Sequence, residues 1–554
     1  MYMRWLALFF SILLSVQVQS QDQTVGVFVN TPESENGYTL IAPTSSRTTY
    51  LIDNCGYIIN EWHSDYLPGM VAYLLENGNL LRACKVAASF SSGGSGGRIE
   101  MFTWGDELIW SYNIADELQH QHHDLEYLPN GNILVIVWDR RPDDEVVEAG
   151  RDPASIGSSG VWFEKILELK PIGSDSAEIV WSWYLFDHLV QDFDSTKNNY
   201  GALEDFPHRM DINYRNFFGS NPGPGDWFHM NAIDYNPELD QIMFSSRATN
   251  EIYIIDHSTT TEEAATGFGG NSGMGGDFLF RWGNPQVYGR GTPANQRLYG
   301  QHDAQWIEEG LDDAGKIMVF NNGVNRPGPD HSSIEILEAP IEGFQYHIDE
   351  GQAFLPEEVE WTFAGQDETS FYSTRISGAS RLPNGNTLIC SGNEGRVFEV
   401  DSNGNLVWDF INPVMNFGPV SQGQVPNTND MFRAYRYTPD YAAFDNIILF
   451  PGQKIENNPW PDSCAIYDGN VSTIEHFLQD QVTVYPNPAS GYLYFNNQSA
   501  RTLRINVFNT LGQSIKQLTL SPFENEQCEV IDWENGIYYA VINNEISLKI
   551  VIAN

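Results

Sequence analysis

Hydrophobic and polar positions alternate along this chain in short runs broken by glycine, asparagine and proline, the period-two pattern of half-buried strands. One phrase recurs: an apolar run enters a turn and leaves as a second apolar run. It reads YLLENGNLL from Tyr73, EYLPNGNILV from Glu126 and SRLPNGNTLI from Ser380, with variants from Asp234 and Gln305. Asn-Gly supplies the positive φ angles of a tight hairpin. A second strand–turn–strand phrase ends on a tryptophan, at Trp62, Trp110, Trp181, Trp282, Trp361 and Trp408. Two hairpins in series make a four-stranded antiparallel unit whose outer strand ends on that tryptophan. Six such endings at irregular spacing predict six blades of a β-propeller, with the irregularity taken up by loop insertions. The segment MFRAYRYTPDY from Met431 is expected to close the ring against the first blade. From about Asn470 the chain changes to VTVYPNPASGYLYF, LRINVFNTLGQSIKQL, WENGIYYAVI and SLKIVIAN, the short alternating strands of a small sandwich. The predicted fold class is therefore all-β: a six-bladed β-propeller followed by a small C-terminal β-sandwich.

Composition narrows the functional classes. A chain of 554 residues exceeds one ordinary core unless a repeat architecture carries it. Lys+Arg 29 against Asp+Glu 73 leave a net charge of −44, which argues against nucleic acid or an anionic membrane surface as partner. An anionic substrate then needs a locally basic pocket. The N-terminus MYMRWLALFFSILLSVQVQS reads as a secretory signal peptide over residues 1–20, with Val18 and Ser20 suited to cleavage before Gln21. No other segment approaches the roughly 20 apolar residues of a transmembrane helix. Five cysteines, Cys55, Cys84, Cys390, Cys464 and Cys528, leave at least one unpaired within one molecule, and their spacing assigns no pairs.

The candidate chemistry gathers around DWFHMNAIDYNPELDQIMFSSR, from Asp226 to Arg247. Read as a hairpin, it brings His229, Asn231 and Arg247 to one rim of one sheet, a donor-rich group suited to a sulfate, phosphate or carboxylate. Aligning the recurrent hairpins on their turns places His123, Asn231, His302 and Ser377 at one register position, with the Tyr73 hairpin contributing a position near Met70. The starts of the innermost strands converge on one channel mouth. By strand alternation His229 shares a face with Asn231, and His122 faces away from His123. Each histidine alone reads as structural; three at matched positions beside Asn231 and Arg247 read as a site. A three-histidine zinc site is the rival. Against it, Leu125 follows Asp124 where an HxHxDH hydrolase motif needs Asp-His, and Arg247 sits poorly beside a metal. Neither metal nor cofactor is expected. The polar insertions Arg140–Ser159 and Asp187–Asp226 fall on the side of the site, as lids or as decoration.

Two resemblances follow from these residues. Tyr485-Pro486-Asn487-Pro488-Ala489, Asn509-Thr510-Leu511-Gly512-Gln513, Trp533-x-Asn535-Gly536-x-Tyr538-Tyr539 and Lys549-Ile550-Val551-Ile552 resemble the C-terminal sorting domain of the type IX secretion system. That resemblance implies export through the outer membrane by the type IX machinery, to a secreted or cell-surface location. The phrases GYTLIAP…TYLIDNCGYIINEW, HHDLEYLPNGN, DWFHMNAIDYNPELDQIMFSSR, GQHDAQW and RLPNGNTLICSG…VFEVDSNGNLVWDF, over about residues 25–450, resemble the bacterial arylsulfate sulfotransferases. The resemblance implies ping-pong transfer of a sulfuryl group from an aryl sulfate donor to a phenolic acceptor, without a nucleotide donor. It implies that His302 is the nucleophile, forming a sulfohistidine. His123 and His229 then take acid/base and binding roles, and Asn231 and Arg247 hold the sulfuryl oxygens. Ser377, by register, and His122 complete the substrate contacts. The larger N-terminal β-domain of well-known members is missing: only residues 21–50 are read as preceding the first blade. The expected organisation is signal peptide 1–20, propeller 21–465, linker 466–479 and sorting domain 480–554. A propeller that hydrolyses or merely binds sulfated ligands is the alternative.

Overall fold

A buried indole needs a partner for its N–H, and this requirement shows why tryptophan punctuates the repeat. The computed structural model describes residues 23–214, 225–365, 371–445, 447–460, 464–467, 482–499, 502–510, 512–542 and 546–553. The expected signal peptide and most of the expected linker lie outside the described residues. Trp62 donates to Thr103 O, Trp110 to Ser176 O, Trp181 to Thr259 Oγ1, Trp282 to Pro356 O and Trp408 to Asn54 O. In each case the acceptor lies between the third and fourth strands of the next blade or at the fourth strand's start. Trp361 instead lies under the guanidinium of Arg381, 4.8 Å from its ring centre, again in the next blade. Each outer-strand tryptophan thus ties its blade to its neighbour.

The blades are six antiparallel sheets around one axis. Blade 1 pairs Met431–Tyr437 with Tyr38–Pro43, Thr48–Asp53 and Ile58–His63, so the segment from Met431 closes the ring as expected. Blade 2 is Pro68–Leu74, Leu80–Lys85, Gly97–Phe102 and Leu108–Asn113. Blade 3 is Gln119–Tyr127, Ile133–Arg141, Val161–Ile172 and Ser176–Tyr184. Blade 4 is Met230–Asn236, Gln241–Ser246, Glu251–Asp256 and Phe280–Trp282. Blade 5 is His302–Trp306, Ile317–Asn321, Ser333–Leu337 and Trp361–Phe363. Blade 6 is Gly378–Arg381, Thr387–Ser391, Arg396–Val400 and Leu406–Ile411. Gly26–Asn30 adds a fifth strand to the outer edge of blade 6. This corrects the reading that residues 21–50 precede the first blade: residues 38–50 already belong to blade 1, and Gly26–Asn30 is a second closure. A disulfide joins Cys55 to Cys464, while Cys84, Cys390 and Cys528 are buried thiols.

The C-terminal strands form a separate unit. Seven strands between Val482 and Ile552 make a small β-sandwich around Leu493, Phe495, Ile505, Val507, Ala540 and Ile550.

His257 ties blade 4 to blade 3. Its Nδ1 meets Asp240 Oδ1 at 2.7 Å, and its Nε2 meets Glu168 Oε2 at 3.1 Å. Burial alone would lower the imidazole pKa, but hydrogen bonds and charge from Asp240 and Glu168 push it up to about 9. A histidine whose folded pKa is raised contributes stability that is full below its unfolded pKa, about 6.5, and is lost as pH rises through the folded value. His257→Gln is expected to cost about 2 kcal/mol at pH near 6 and much less near pH 10. Urea midpoints of both proteins at the two pH values measure this; a difference independent of pH rejects the ion pair as its source.

Candidate active site

The inner strands do not start as regular strands. Met70, His123, His229, Asp303, Ile376 and Ser377 all stand at positive φ, between 49° and 103°. Non-glycine residues rarely adopt this region, and here the inner strands of blades 2, 4, 5 and 6 use it at or near their starts and that of blade 3 at its middle. The pairing of inner to second strand is also interrupted in blades 2 to 5: between Pro68 and Ala72, Val135 and Val137, Met230 and Ala232, and His302 and Gln305. Bulges re-aim side chains, so counting by twos fails here. His122 is not turned away from His123: their Nδ1 atoms are 2.9 Å apart and their ring centres 5.2 Å. The alternation is likewise interrupted between His229 and Asn231.

The hairpin in blade 4 does bring its candidates to one rim. Met230 pairs with Ser246, and Arg247 N donates to His229 O at 3.1 Å. The His229 ring lies edge-on to His123, with 4.8 Å between centres. His229 Nδ1 bonds Asp226 Oδ2 at 2.5 Å. Burial would raise the Asp226 carboxyl, but the charge and hydrogen bond of His229, with a bond from Ser92, hold it below the usual carboxylate range. Asp226 therefore holds the His229 ring through Nδ1 and leaves Nε2 outside that bond. The sequence reading began its key phrase at Asp226 and gave it no role; its place three residues before His229 was the available signal.

His302 is buried in blade 5. Its Nδ1 bonds Asn322 Oδ1 at 2.7 Å, and its Nε2 accepts from Ile376 N at 3.2 Å. Burial first, then the charge of Arg247, hold its pKa well below the ordinary histidine value. The same desolvation, joined by His229, His122 and His302, holds the His123 pKa well below the ordinary histidine value. Arg247 Nη2 donates to Thr374 O at 3.4 Å. Asn231 Nδ2 donates to Gln301 O at 2.8 Å, while its buried Oδ1 has no hydrogen-bond partner among the described residues. The Ser377 hydroxyl is already committed: it donates to Ser373 Oγ in its own loop and accepts from Gly392 N, just past the second strand of blade 6. His122 is buried behind His123, stacked on Trp138 at 4.2 Å and bonded to Glu164 at 2.8 Å.

A glycine-rich run, Ser91–Gly97, packs against two of these histidines. A Cβ on Gly94, at φ 82°, would lie 2.0 Å from the His123 ring, and one on Gly93 would lie 3.8 Å from His229. Gly94 O also accepts from His123 N at 2.7 Å. No candidate was read from this run, although SSGGSGG directly precedes a strand.

The other end of the channel has the opposite character. A cavity of about 570 Å³ there is lined by Tyr73, Tyr437, Tyr441, Glu126, Asp234 and Glu308, among others. Burial and neighbouring carboxylates raise Glu126 well above its ordinary value, and burial pushes Asp234 up to about 7. An anionic ester is disfavoured by this acidic cup despite its size. Arg433 at its floor is bound to Asp124 at 2.7 Å and Asp303 at 2.8 Å, and it also donates to Asn231 O at 3.4 Å. The histidine end, with the Arg247 guanidinium in the cluster, is the end suited to an oxyanion.

Two family profiles match this chain. The family profile Arylsulfotransferase (ASST) matches residues 27–409, and the profile Secretion system C-terminal sorting domain matches residues 483–553. No curated protein sequence matches the chain significantly. Similar solved structures include a protein of unknown function from Bacteroides caccae, 12% identical, covering 73% of this chain and 99% of that one at a TM-score of 0.39. They also include virginiamycin B lyase from Staphylococcus aureus, 12% identical, covering 71% and 85% at 0.32. A third is the periplasmic gluconolactonase of Pseudomonas aeruginosa, 10% identical, covering 89% and 99% at 0.34.

Proposed function

The chain belongs to the arylsulfotransferase (ASST) family, and we propose that it moves a sulfuryl group from an aryl sulfate to a phenol through a sulfohistidine at His302. The observation that carries this reading is His302 itself. Its Nδ1 faces the Asn322 side-chain oxygen, its Nε2 faces the Ile376 N–H, and burial with the charge of Arg247 favours the neutral ring. Such an Nε2 is a nucleophile near neutral pH.

In the first half-reaction Nε2 gives up its hydrogen bond from Ile376 N and attacks sulfur; the N–S bond forms and the sulfur–aryloxide bond breaks. His229, held as a donor by Asp226, gives its Nε2 proton to the departing oxygen. The Arg247 guanidinium and the Asn231 amide N–H hold the sulfuryl oxygens as charge redistributes, the electrostatic role familiar from phosphoryl transfer. In the second half-reaction the phenol gives its proton to His229 and its oxygen attacks sulfur. The N–S bond breaks and His302 returns to its neutral form. His123, beside His229 and backed by His122, completes the wall around the reacting groups. Ser377 contributes by fixing the loop whose Ile376 N–H meets His302.

The C-terminal type IX sorting domain indicates secretion or cell-surface export. Removal of a signal peptide after residue 20, a propeller over 21–465 and a linker over 466–479 belong to the same proposal.

The test is turnover of a chromogenic aryl sulfate by the full chain, with and without an added phenol. Release that rises with phenol concentration, with sulfated phenol as the product, is the expected result. Release without sulfated phenol would mean hydrolysis instead, and binding without release would mean a sulfate-ester-binding propeller.

A further inference from the structure

The geometry assigns Asn322 as the positioning residue that sets the tautomer of His302, an inference that rests on the reaction proposed above. Asn322 directly follows the strand Ile317–Asn321 of blade 5 and is fully buried. Its Nδ2 donates to two carbonyls, Ser373 O at 2.7 Å and Ile376 O at 2.9 Å. A reversed amide would press its oxygen against both carbonyls, so these bonds decide which end is which. Oδ1 then faces His302 Nδ1 at 2.7 Å and, being only an acceptor, requires the proton there. The loop that Asn322 holds assigns the other ring nitrogen: Ile376 N–H donates to Nε2 at 3.2 Å. Ile376 and Ser377 stand at φ 49° and 95°. A β-branched residue seldom adopts such an angle without outside support, and the two carbonyl bonds supply it.

One amide therefore fixes both nitrogens. When Nε2 attacks sulfur, the positive charge on the sulfated ring is shared with an Nδ1–H that stays on Asn322 Oδ1. A neutral partner orients the ring without the large rise in basicity that a carboxylate would cause. The imidazole so held keeps its lone pair at neutral pH.

The test uses the full chain labelled with ¹⁵N-histidine. Long-range proton–nitrogen correlations of the resting protein are recorded, and the His302 signals are identified by their loss in His302→Gln. The expected pattern is a protonated Nδ1 and an unprotonated Nε2. Asn322→Ala is expected to lose that single tautomer and to lower kcat about 100-fold or more, with KM changed only a few-fold. Asn322→Asp keeps an acceptor at Nδ1 and is expected to retain the proton there, although its second oxygen loses the bonds to Ser373 O and Ile376 O and releases the loop. Its charge shifts the acid limb of kcat/KM upward by about one pH unit or more. A purely structural role would move neither the tautomer nor that limb. A resting His302 protonated on Nε2, or Asn322→Ala with wild-type kcat, overturns the assignment. The nitrogen signals need no substrate. The expected tautomer in a protein inert toward aryl sulfates would leave Asn322 its positioning role and sink the sulfuryl-transfer reading instead.

Discussion

Replacing His302 with alanine is expected to lower turnover of an aryl sulfate by about four orders of magnitude or more while the protein stays folded. The variant loses the nucleophile, and the remaining groups can only orient donor and acceptor. With donor present and acceptor withheld, the wild-type protein is expected to gain the mass of one sulfuryl group on the peptide that holds His302. The variant gains none. Wild-type turnover in the variant would remove His302 from the chemistry. Burial and the charge of Arg247 keep the ring neutral well below the ordinary histidine pKa. The acid limb of kcat/KM is therefore expected below about pH 6.5, since activity fails only when Nε2 itself is protonated.

The largest expected effect on stability is at Arg433. This residue lies on Met431–Tyr437, the strand that closes the ring, and its side chain is 4% exposed. It binds Asp124 of blade 3 and Asp303 of blade 5, donates to Asn231 O of blade 4, and meets the Tyr73 hydroxyl of blade 2 at 3.4 Å. The carboxylates reach further: Asp124 accepts from Ile233 N, and Asp303 accepts from Ala379 N of blade 6. The guanidinium and its two partners thus join the inner strands of all six blades. Arg433→Met would leave two buried carboxyl groups without their cation. Breaking a buried pair from one side costs about 3–5 kcal/mol. A guanidinium chloride midpoint shifted by that amount is expected, with loss of activity because the Asn231 strand loses a tether. A cost under about 1 kcal/mol would show that the tie is dispensable. Adding Asp124→Asn and Asp303→Asn to the variant is expected to recover part of the loss, since neutral amides are less costly to bury.

Much of this molecule is legible along the chain because its signals are local. The Asn-Gly turns and alternating strands need only neighbours in sequence, and the blade count followed from the tryptophans. The hairpin from Asp226 to Arg247 carried its own register, so His229 and Arg247 met as expected. What was misread depended on backbone angles. His123 at φ 49° and His229 at φ 58° break the alternation on which the facing of His122 and Asn231 had been argued. The start of the first blade was misplaced for a related reason: a short strand such as Gly26–Asn30 has no periodic signature that says which blade edge it will join.

The sequence alone determined the all-β class, the six blades with their closing strand, the sorting tail, and a set of histidines beside an arginine. Each of these follows from patterns within a few residues of one another or from repeats of such patterns. The tertiary structure alone decided which atoms those side chains use. Asn322 comes from 20 residues beyond His302 and acts through a loop of blade 6. The tie between Arg433 and the Asn231 carbonyl spans 202 residues. A buried polar group must find a partner wherever the fold puts one, and in a ring closed by its own C-terminal strand the nearest partner in space is often among the farthest in sequence.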